Sequence, residues 1–533
     1  MKGKAGRVIP LVVAVAFVAV MLGMTILERM PLLERPMAGI RHGEGTARVL
    51  RHMQIWDEVG LAETHFMMRT THTNPADAYV ADVGYLTAGD GIYYYASFPP
   101  LFPLAPYLVF KTLGVPIGID AVRWFNMGLQ ILGAAAVFLL VRRAARSFGA
   151  TPAAVAAAAG ATVYAISPVL LWYHSNAYVT ASLGTPLFAL STYLAVRLWD
   201  DEEPARWLWW AFAASAAALT YTEWLGVTFT MGVLGLAAVR WRDARARKVA
   251  FATVAATGAV LLITLAQYSS IAGVAAFIDG IGGKLALRTG LTEASHHSVT
   301  SLRSWSYVVS YYEKGYLPVL QATAGLVFAA GVGLLARRVA GSATVIGRDR
   351  ALGTALWLAT VPVALHHLLL FSHTAVHDFD IVKSAVPMGL IAGAACAVIW
   401  STPTLTRWAK VIVLIGLALL AQRTFDAGMA MSSRRDFGID PGPRDVGRAI
   451  VAYGVAPDEV VFIEGDAFYT GSAASYYAGF RNLVRYTPER AATIMHLNGA
   501  SGGVLFTVDE KGREVIGISR VAPDGSLEAT AAR

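Results

Sequence analysis

The acidic residues best placed to do chemistry lie in one long polar stretch, residues 41–114. It carries Glu44, Asp57 and Glu58 together with His42, and the chain is strongly apolar on both sides of it. Carboxylates and an imidazole at the mouth of an apolar protein can take up or release protons during a reaction. We therefore expect the reaction site in this stretch rather than within the apolar segments.

A second group of ionisable residues follows an apolar segment near residue 371. His373, His377 and Asp378 come at its end, and Lys383 lies just inside the next apolar segment. Ionisable groups at membrane depth are costly and normally face an internal cavity. Two histidines four residues apart can share a helical face, so His373, His377 and Asp378 form a candidate divalent-metal site, with ordinary hydrogen bonding as the alternative. For Lys383 the structural alternatives are a salt bridge to Asp378 or Asp380, or snorkelling to the membrane surface.

Three further residues can contact a ligand from separate parts of the chain. Glu223 lies between two apolar segments and is either at the rim of a site or simply solvated. The planar guanidinium of Arg303 suits bidentate phosphate binding, with surface exposure as the alternative. Tyr94 belongs to a run of three tyrosines, which is typical of an interfacial aromatic belt. Stacking on a sugar is its second interpretation.

The composition is that of a polytopic membrane protein. Of 533 residues, 56% are hydrophobic and only 15% are charged, which is too apolar for a series of soluble domains. The net charge is +8, but the basic residues cluster at the ends of apolar segments, where they set orientation in the membrane. Nucleic acid is therefore not expected as a partner. The single cysteine, Cys396, excludes a disulfide framework and a cysteine-based metal cluster.

The apolar segments predict about eleven membrane crossings. Lys2, Lys4 and Arg7 place the N-terminus in the cytoplasm, and with this number of crossings every basic cluster lies on the inner side. The C-terminus then lies outside the cell membrane. The predicted spans are residues 8–27, 124–141, 152–172, a return ending near Arg197, 208–221, 225–239, 250–265, 319–335, 351–371, 385–400 and 410–422.

The chain divides into a membrane domain, residues 1–422, and a soluble outer domain, residues 423–533. The membrane domain includes a large outer loop, residues 28–118, in which an interfacial helix begins near Gly43. A second apolar run, residues 101–113, follows two prolines and is too short to cross a bilayer, so it is predicted to be interfacial or re-entrant. Alternating helix and strand patterns in the last part of the chain predict a small α/β domain.

The segment that closes the outer loop combines an aromatic residue, two prolines and a downstream glycine. Its residues are Ser97, Phe98, Pro99, Pro100 and Leu101, followed by Thr112, Leu113 and Gly114. With the first span, the large outer loop and the soluble tail, this segment resembles the GT-C superfamily of integral-membrane glycosyltransferases. That superfamily includes the protein O-mannosyltransferases and the lipid A aminoarabinose transferases. The likeness in topology covers the whole chain, whereas the motifs lie in the outer loop.

The resemblance implies transfer of a sugar from a polyprenyl-phosphate-linked donor, with inversion, to a glycan, lipid or protein acceptor at the outer membrane surface. Such a displacement needs a carboxylate to take the acceptor proton and cations to stabilise the leaving phosphate. Glu44 is the predicted base, with Asp57 or Glu58 as the fallback. The structural alternatives are stabilisation of a helix N-terminus by Glu44 and a solvated helix face for the other two.

The chain departs from the family pattern at the acidic positions. The first acidic motif falls on His42, with Glu44 two residues later, and the second acid after the third span has no counterpart. His174 and Asn176 occupy that place and are predicted ligand contacts. Lys383 is predicted to pair with the donor phosphate.

Two other classes of function stay open. A transporter or flippase of lipid-linked saccharides usually carries repeated halves with broken helices, and no such repeat is visible here. A non-catalytic membrane scaffold whose outer domain binds partners is the third interpretation. A long outer loop and an outer α/β domain favour the enzyme, so we predict a polytopic α-helical membrane protein of GT-C type.

Overall fold

The chain folds into a bundle of apolar helices, an outer layer of short helices and loops, and a small C-terminal sheet. The computed structural model describes residues 2–33, 37, 43–78, 85–87, 91–291, 295, 297–339, 350–402, 410, 416, 419, 422–428, 430, 442–464, 471–510 and 512–528. This architecture confirms the predicted class, a polytopic helical membrane protein with a small α/β unit.

The helices follow the apolar segments and end mainly at glycines, prolines or charged turns. Before residue 402 they are α1 Lys2–Leu33, α2 Gly43–Val59, α3 Leu101–Leu113, α4 Ile119–Ala144, α5 Ala150–Ile166, α6 Pro168–Asn176, α7 Thr180–Asp200, α8 Arg206–Thr222, α9 Leu225–Val239, α10 Ala244–Ala272, α11 Val274–Thr289, α12 Leu302–Val339, α13 Arg350–Leu369, α14 Phe371–Val376 and α15 Ala385–Ser401.

The third predicted span is not one straight helix. It breaks between α5 and α6, whose axes differ by 54°. Pro168 opens α6 and Ser167 before it is extended, with φ −55° and ψ 126°. A proline has no N–H to donate and disfavours helix in the preceding residue. The proline therefore explains the break that hydropathy alone misses.

The region predicted as a long outer loop, residues 267–317, contains two helices instead. Gly273, with φ 82°, ends α10 and α11 begins at the next residue. The helix expected from residue 319 begins earlier, as α12 from Leu302. The first turns of α12 contain polar residues, so a search for apolar runs does not detect the helix there. A helix can form in such a segment because only one of its faces needs to be apolar and packed.

The number of crossings stays a prediction. Within the described parts of the chain, six helices are long and apolar enough to cross a bilayer, or seven if α5 and α6 form one span. The last predicted span, residues 410–422, lies almost entirely outside the described residues.

The outer layer is organised around α2. Its apolar face is completely buried, as shown by Val49, Leu50 and Met53 at 0% exposure. The indole N–H of Trp56 donates to the Met67 carbonyl over 2.8 Å, which fixes the chain after the helix. Two short antiparallel strands, β1 Tyr85–Thr87 and β2 Tyr93–Tyr95, lie in the same layer.

The C-terminal unit is a five-stranded mixed sheet with three helices. The strands are β3 Glu459–Glu464, β4 Leu483–Arg485, β5 Gly502–Val508, β6 Val515–Val521 and β7 Leu527–Glu528, and the helices are α16 Gly442–Tyr453, α17 Gly471–Tyr477 and α18 Pro488–Asn498. The strand order is β4-β3-β5-β6-β7, with β3 parallel to both β4 and β5. The predicted boundary at residue 422 stays a prediction.

Candidate functional site

A buried charged cluster lies where α8, α13 and the start of α15 meet. The Lys383 ammonium Nζ lies 2.7 Å from Asp380 Oδ1, 3.0 Å from Glu223 Oε2 and 2.7 Å from His366 Nε2. All four side chains are 2% exposed or less. We call these four residues the Lys383 cluster.

A 3₁₀ helix, Asp378–Ser384, presents Asp380 and Lys383 to the cluster. In this conformation residues three apart lie directly above one another, so the carboxylate and the ammonium meet. Tyr316 of α12 holds the segment, because its hydroxyl donates to the Ile381 carbonyl over 2.9 Å. The geometry is therefore set by the backbone and by the neighbouring helix.

Glu223 enters the cluster from the turn between α8 and α9. Opposite it lies Gly184 of α7, where a methyl group would overlap the Glu223 carboxylate. Glycine at position 184 is therefore what lets this carboxylate reach Lys383. Neither oxygen of Glu223 accepts a hydrogen bond from a described residue, so the contact with Lys383 is an ion pair.

Phe98, next to the double proline, connects the Lys383 cluster to the outer loop. Its ring centroid lies 5.9 Å from that of His373, and the His373 Nε2 lies 3.7 Å from Asp380 Oδ2. On the same ring the Arg288 guanidinium carbon lies 4.4 Å from the centroid. Burial lowers the pKa of His373, which favours the neutral ring.

A group of three cations lies beyond Phe98. Burial, then the charges of Arg288 and Arg48, lower the pKa of Lys284, so the three cations are near enough for their charges to interact. Arg48 of α2 also lies over the Tyr95 ring, 5.9 Å from its centroid. We call Arg48, Lys284 and Arg288 the cationic group. Guanidinium and ammonium groups that lie near one another suit an anion such as a phosphate.

The predicted contacts His174 and Asn176 lie in a neighbouring buried network. His174 Nδ1 is 2.8 Å from Asn126 Oδ1, and Asn176 Nδ2 donates to the Trp172 carbonyl over 3.1 Å. The Arg29 guanidinium lies in the same network and donates to Ser175 and, over 2.7 Å, to Gln130. The connection to the 3₁₀ helix is Tyr173, whose hydroxyl donates to Asp378 over 2.8 Å.

The structure does not bring all predicted residues into this site. Asp57 pairs with Lys111 of α3 at 2.6 Å on a solvated face. Glu58 lies 3.8 Å from His72, and Arg303 is exposed at the start of α12. These positions match the structural alternatives for Asp57, Glu58 and Arg303, and their roles in the reaction stay untested.

Tyr94 is 5% exposed and packs in an apolar cluster with Met67, Tyr268 and Phe277. The Tyr94 ring therefore contributes to the packing of this cluster. His42 lies outside the described residues, and for Glu44 the structure describes only the backbone, in the first turn of α2.

The candidate metal residues approach one another without forming a metal site. The rings of His373 and His377 are 4.4 Å apart between centroids, but Asp378 accepts from Tyr173. Among the described residues, no group of three His, Cys, Asp or Glu side chains has the geometry to hold an ion. A metal at these residues is therefore not supported by their arrangement.

Sequence reasoning missed His366 and Arg288, and it treated Asp380 only as a structural partner. The available signal was the acid and base three residues apart, Asp380 and Lys383, at the start of an apolar segment. Arg288 gave no signal, because α11 was expected to be a loop. The role of Arg288 depends on its contact with Phe98, and no sequence pattern links these two residues.

The fold is similar to that of solved structures of two other proteins. ArnT from Cupriavidus metallidurans bound to undecaprenyl phosphate is similar, with a TM-score of 0.54 and 14% identity over 92% of this chain and 93% of that one. The archaeal oligosaccharyltransferase AglB from Archaeoglobus fulgidus, in complex with an inhibitory peptide and a dolichol-phosphate, has a TM-score of 0.56 and 11% identity. That alignment covers 92% of this chain and 69% of AglB.

A further structure of the Archaeoglobus fulgidus enzyme, in complex with zinc and sulfate, has a TM-score of 0.54 and 10% identity, over 91% of this chain and 68% of that one. At the level of sequence, no family model and no curated protein matches. The structural likeness shows that this chain shares the fold of these proteins over more than nine tenths of its length, in agreement with the predicted architecture.

Proposed function

We propose that this protein is a membrane glycosyltransferase that moves a sugar from a polyprenyl-phosphate-linked donor to an acceptor. The acceptor is a glycan, a lipid or a protein, and the reaction occurs on the extracytoplasmic side of the cell membrane. The observation that carries the proposal is the position of Phe98. One ring contacts both Arg288 of the cationic group and His373 beside the Lys383 cluster.

The cationic group supplies what the leaving phosphate needs. Charge builds up on the phosphate oxygens as the bond to the sugar breaks, and preorganised cations stabilise that charge. Arg48 belongs to α2, and Lys284 and Arg288 belong to α11, which packs through Phe277 against Leu86 of β1 and Tyr94 of β2. The undecaprenyl phosphate in the ArnT structure and the dolichol-phosphate in the AglB structure support a donor of this chemical class.

Glu44 stays the proposed base. The residue after it, Gly45, packs against Val179, with 3.2 Å from an added methyl position to Cγ1. Val179 directly precedes α7. Gly184 lies five residues further along this helix, roughly 7 Å along its axis, and packs against Glu223. The backbone at Glu44 and the Glu223 side chain therefore lie near the same end of α7, where one of these two acids is proposed to take the acceptor proton. The proposed mechanism uses only residues of this chain and no metal step.

The experiment is a transfer assay with the full-length protein in liposomes that contain a polyprenyl-phosphate-linked sugar. Released polyprenyl phosphate and glycosylated acceptor are measured together. Glu44→Gln should lower the rate by about 10²- to 10⁴-fold, the usual contribution of a general base. Glu489→Gln, on an exposed helix of the outer domain, is the control. A fully active Glu44→Gln with an inactive Glu223→Gln would move the base to Glu223.

Arg288→Ala tests the phosphate contact in the same assay. Loss of a charged partner in a partly buried site should raise the KM for the donor about tenfold or more, whereas Arg490→Ala on an exposed helix should leave it unchanged. Saccharide movement across the membrane without any transfer would instead identify a transporter.

A further inference from the structure

We propose that the Lys383 ammonium occupies the place of a divalent cation in this site, so that the chain carries its own tethered cation there. The inference concerns the Lys383 cluster, and its importance for sugar transfer rests on the proposed function. It makes a prediction about metal binding that is independent of transfer.

The ligands around Nζ are those of a metal site. Two carboxylate oxygens, from Asp380 and Glu223, and the imidazole Nε2 of His366 lie within 3.0 Å of the ammonium nitrogen. Two carboxylates and a histidine form a common donor set for zinc and similar ions. Here the centre of that set is filled by a side chain.

The spacing of the donors fits this interpretation. His366 Nε2 and Asp380 Oδ1 are 3.7 Å apart, and two ligands at about 2.1 Å in a tetrahedral zinc site lie about 3.4 Å apart. The distances from the donors to Nζ are 2.7–3.0 Å, so each donor must move inward by roughly 0.5–1 Å to reach the zinc–ligand distance of about 2.1 Å. As they stand, the described residues form no metal site, and Lys383 occupies the space between the three donors that an ion would need.

Lysine at this position has a defined chemical consequence. The ammonium donates to Asp380 and His366, so His366 Nε2 acts as an acceptor and its proton must be on Nδ1. One ammonium between two carboxylates leaves a formal charge of −1, and Arg288 is close enough to Asp380 for their charges to interact. The Lys383 ammonium thus supplies a covalently attached positive charge, which cannot leave the site and does not depend on the supply of metal.

The test removes the lysine side chain in two ways. Lys383→Ala frees the space around the three donors, whereas Lys383→Met removes the charge and keeps the space filled. Full-length protein in detergent is incubated with Co²⁺, and bound metal is measured after dialysis together with the visible absorption of tetrahedral Co²⁺. We expect Lys383→Ala to bind one Co²⁺ per chain, and wild type, Lys383→Met and the Lys383→Ala/Asp380→Asn double variant to bind none at this site.

Two outcomes would overturn the inference. One is a folded Lys383→Ala protein that binds no Co²⁺. The other is stoichiometric metal in wild type that is lost in Asp380→Asn. If Lys383→Ala folds only when Zn²⁺ or Co²⁺ is present, that dependence is the expected result.

If Lys383→Ala folds under neither condition, wild type decides. A melting temperature unchanged by a strong chelator supports the tethered cation, and a decrease that Zn²⁺ reverses refutes it. If Lys383→Ala binds metal but the wild-type protein transfers no sugar, only the proposed function is refuted.

Discussion

At the scale of single residues, the ion pair between Glu223 and Lys383 depends on a missing methyl group. Gly184 faces the Glu223 carboxylate so closely that any side chain must displace it. Gly184→Ala should therefore destabilise the protein by about 1–3 kcal/mol, the usual cost of overpacking, and strongly lower transfer activity. Melting temperature and initial rate measure the two effects.

Gly258→Ala in α10 is the matched control, because no atom lies within 4 Å of the added methyl group. It should change stability by well under the amount seen at position 184. Equal behaviour of the two variants would show that the close approach at Gly184 does not matter.

Two buried histidines of the outer layer predict acid sensitivity. Burial lowers the pKa of both His52 and His72 to about 3, against about 6.5 in the unfolded chain. Their stabilising contribution is thus complete above pH 6.5 and is lost as the pH falls towards 3. At pH 5 the free energy of unfolding should be lower than at neutral pH by about 2 kcal/mol for each of the two histidines.

Melting temperatures between pH 7.5 and 5 test this prediction. The double variant His52→Gln/His72→Gln should lose less stability over that range than wild type does. His496→Gln, whose ring is exposed on α18, serves as the control. A double variant with the pH dependence of wild type would contradict the prediction.

At the scale of elements, the C-terminal unit is attached to the outer layer through Asp77. This carboxylate pairs with Arg481 at 2.9 Å and accepts from the backbone N–H of Asn482 at 2.8 Å. A second attachment joins α2 and α17, where Arg51 donates to Ser475 over 2.9 Å. The helix that contains Glu44 therefore packs against the C-terminal unit.

Asp77→Ala should loosen this attachment. The pair is largely buried, with 7% and 15% side-chain exposure, and breaking a buried pair costs about 3–5 kcal/mol. Hydrogen exchange of residues 471–485 should rise, and that of α4 should not. Asp445→Asn removes an exposed pair with Arg444 in the same unit and should have little effect. Unchanged exchange in Asp77→Ala would show that other contacts hold the unit.

At the scale of the whole molecule, the orientation in the membrane can be tested by labelling introduced cysteines, because the native protein has a single, buried cysteine. The single cysteine, Cys396, is 3% exposed and should not react with a membrane-impermeant maleimide. Ser526→Cys in the C-terminal unit and Ser147→Cys after α4 both introduce an exposed thiol. In intact cells we expect labelling of the first variant only, because the sheet is proposed to lie outside and the arginine-rich end of α4 inside.

After permeabilisation both variants should be labelled, which shows that each thiol is accessible. Labelling of Ser147→Cys in intact cells would reverse the proposed orientation and would place the reaction in the cytoplasm.

The sequence by itself determined the membrane class, most helix positions and the α/β pattern of the C-terminal unit. Hydrophobic periodicity, basic clusters and prolines are local signals, and they act through burial and backbone geometry that each segment carries alone. The broken helix at Pro168 is also a local effect, although hydropathy does not report it.

Only the tertiary structure decided which polar residues meet. Glu223 is far in sequence from His366 and Lys383, and the meeting of the three side chains depends on a glycine of a fourth element and on a 3₁₀ segment held by α12. Arg288 belongs to the candidate site because α11 places its guanidinium over the Phe98 ring. The physical reason is that the energy of a buried charge depends on which partners surround it in three dimensions, and no single stretch of sequence contains that information.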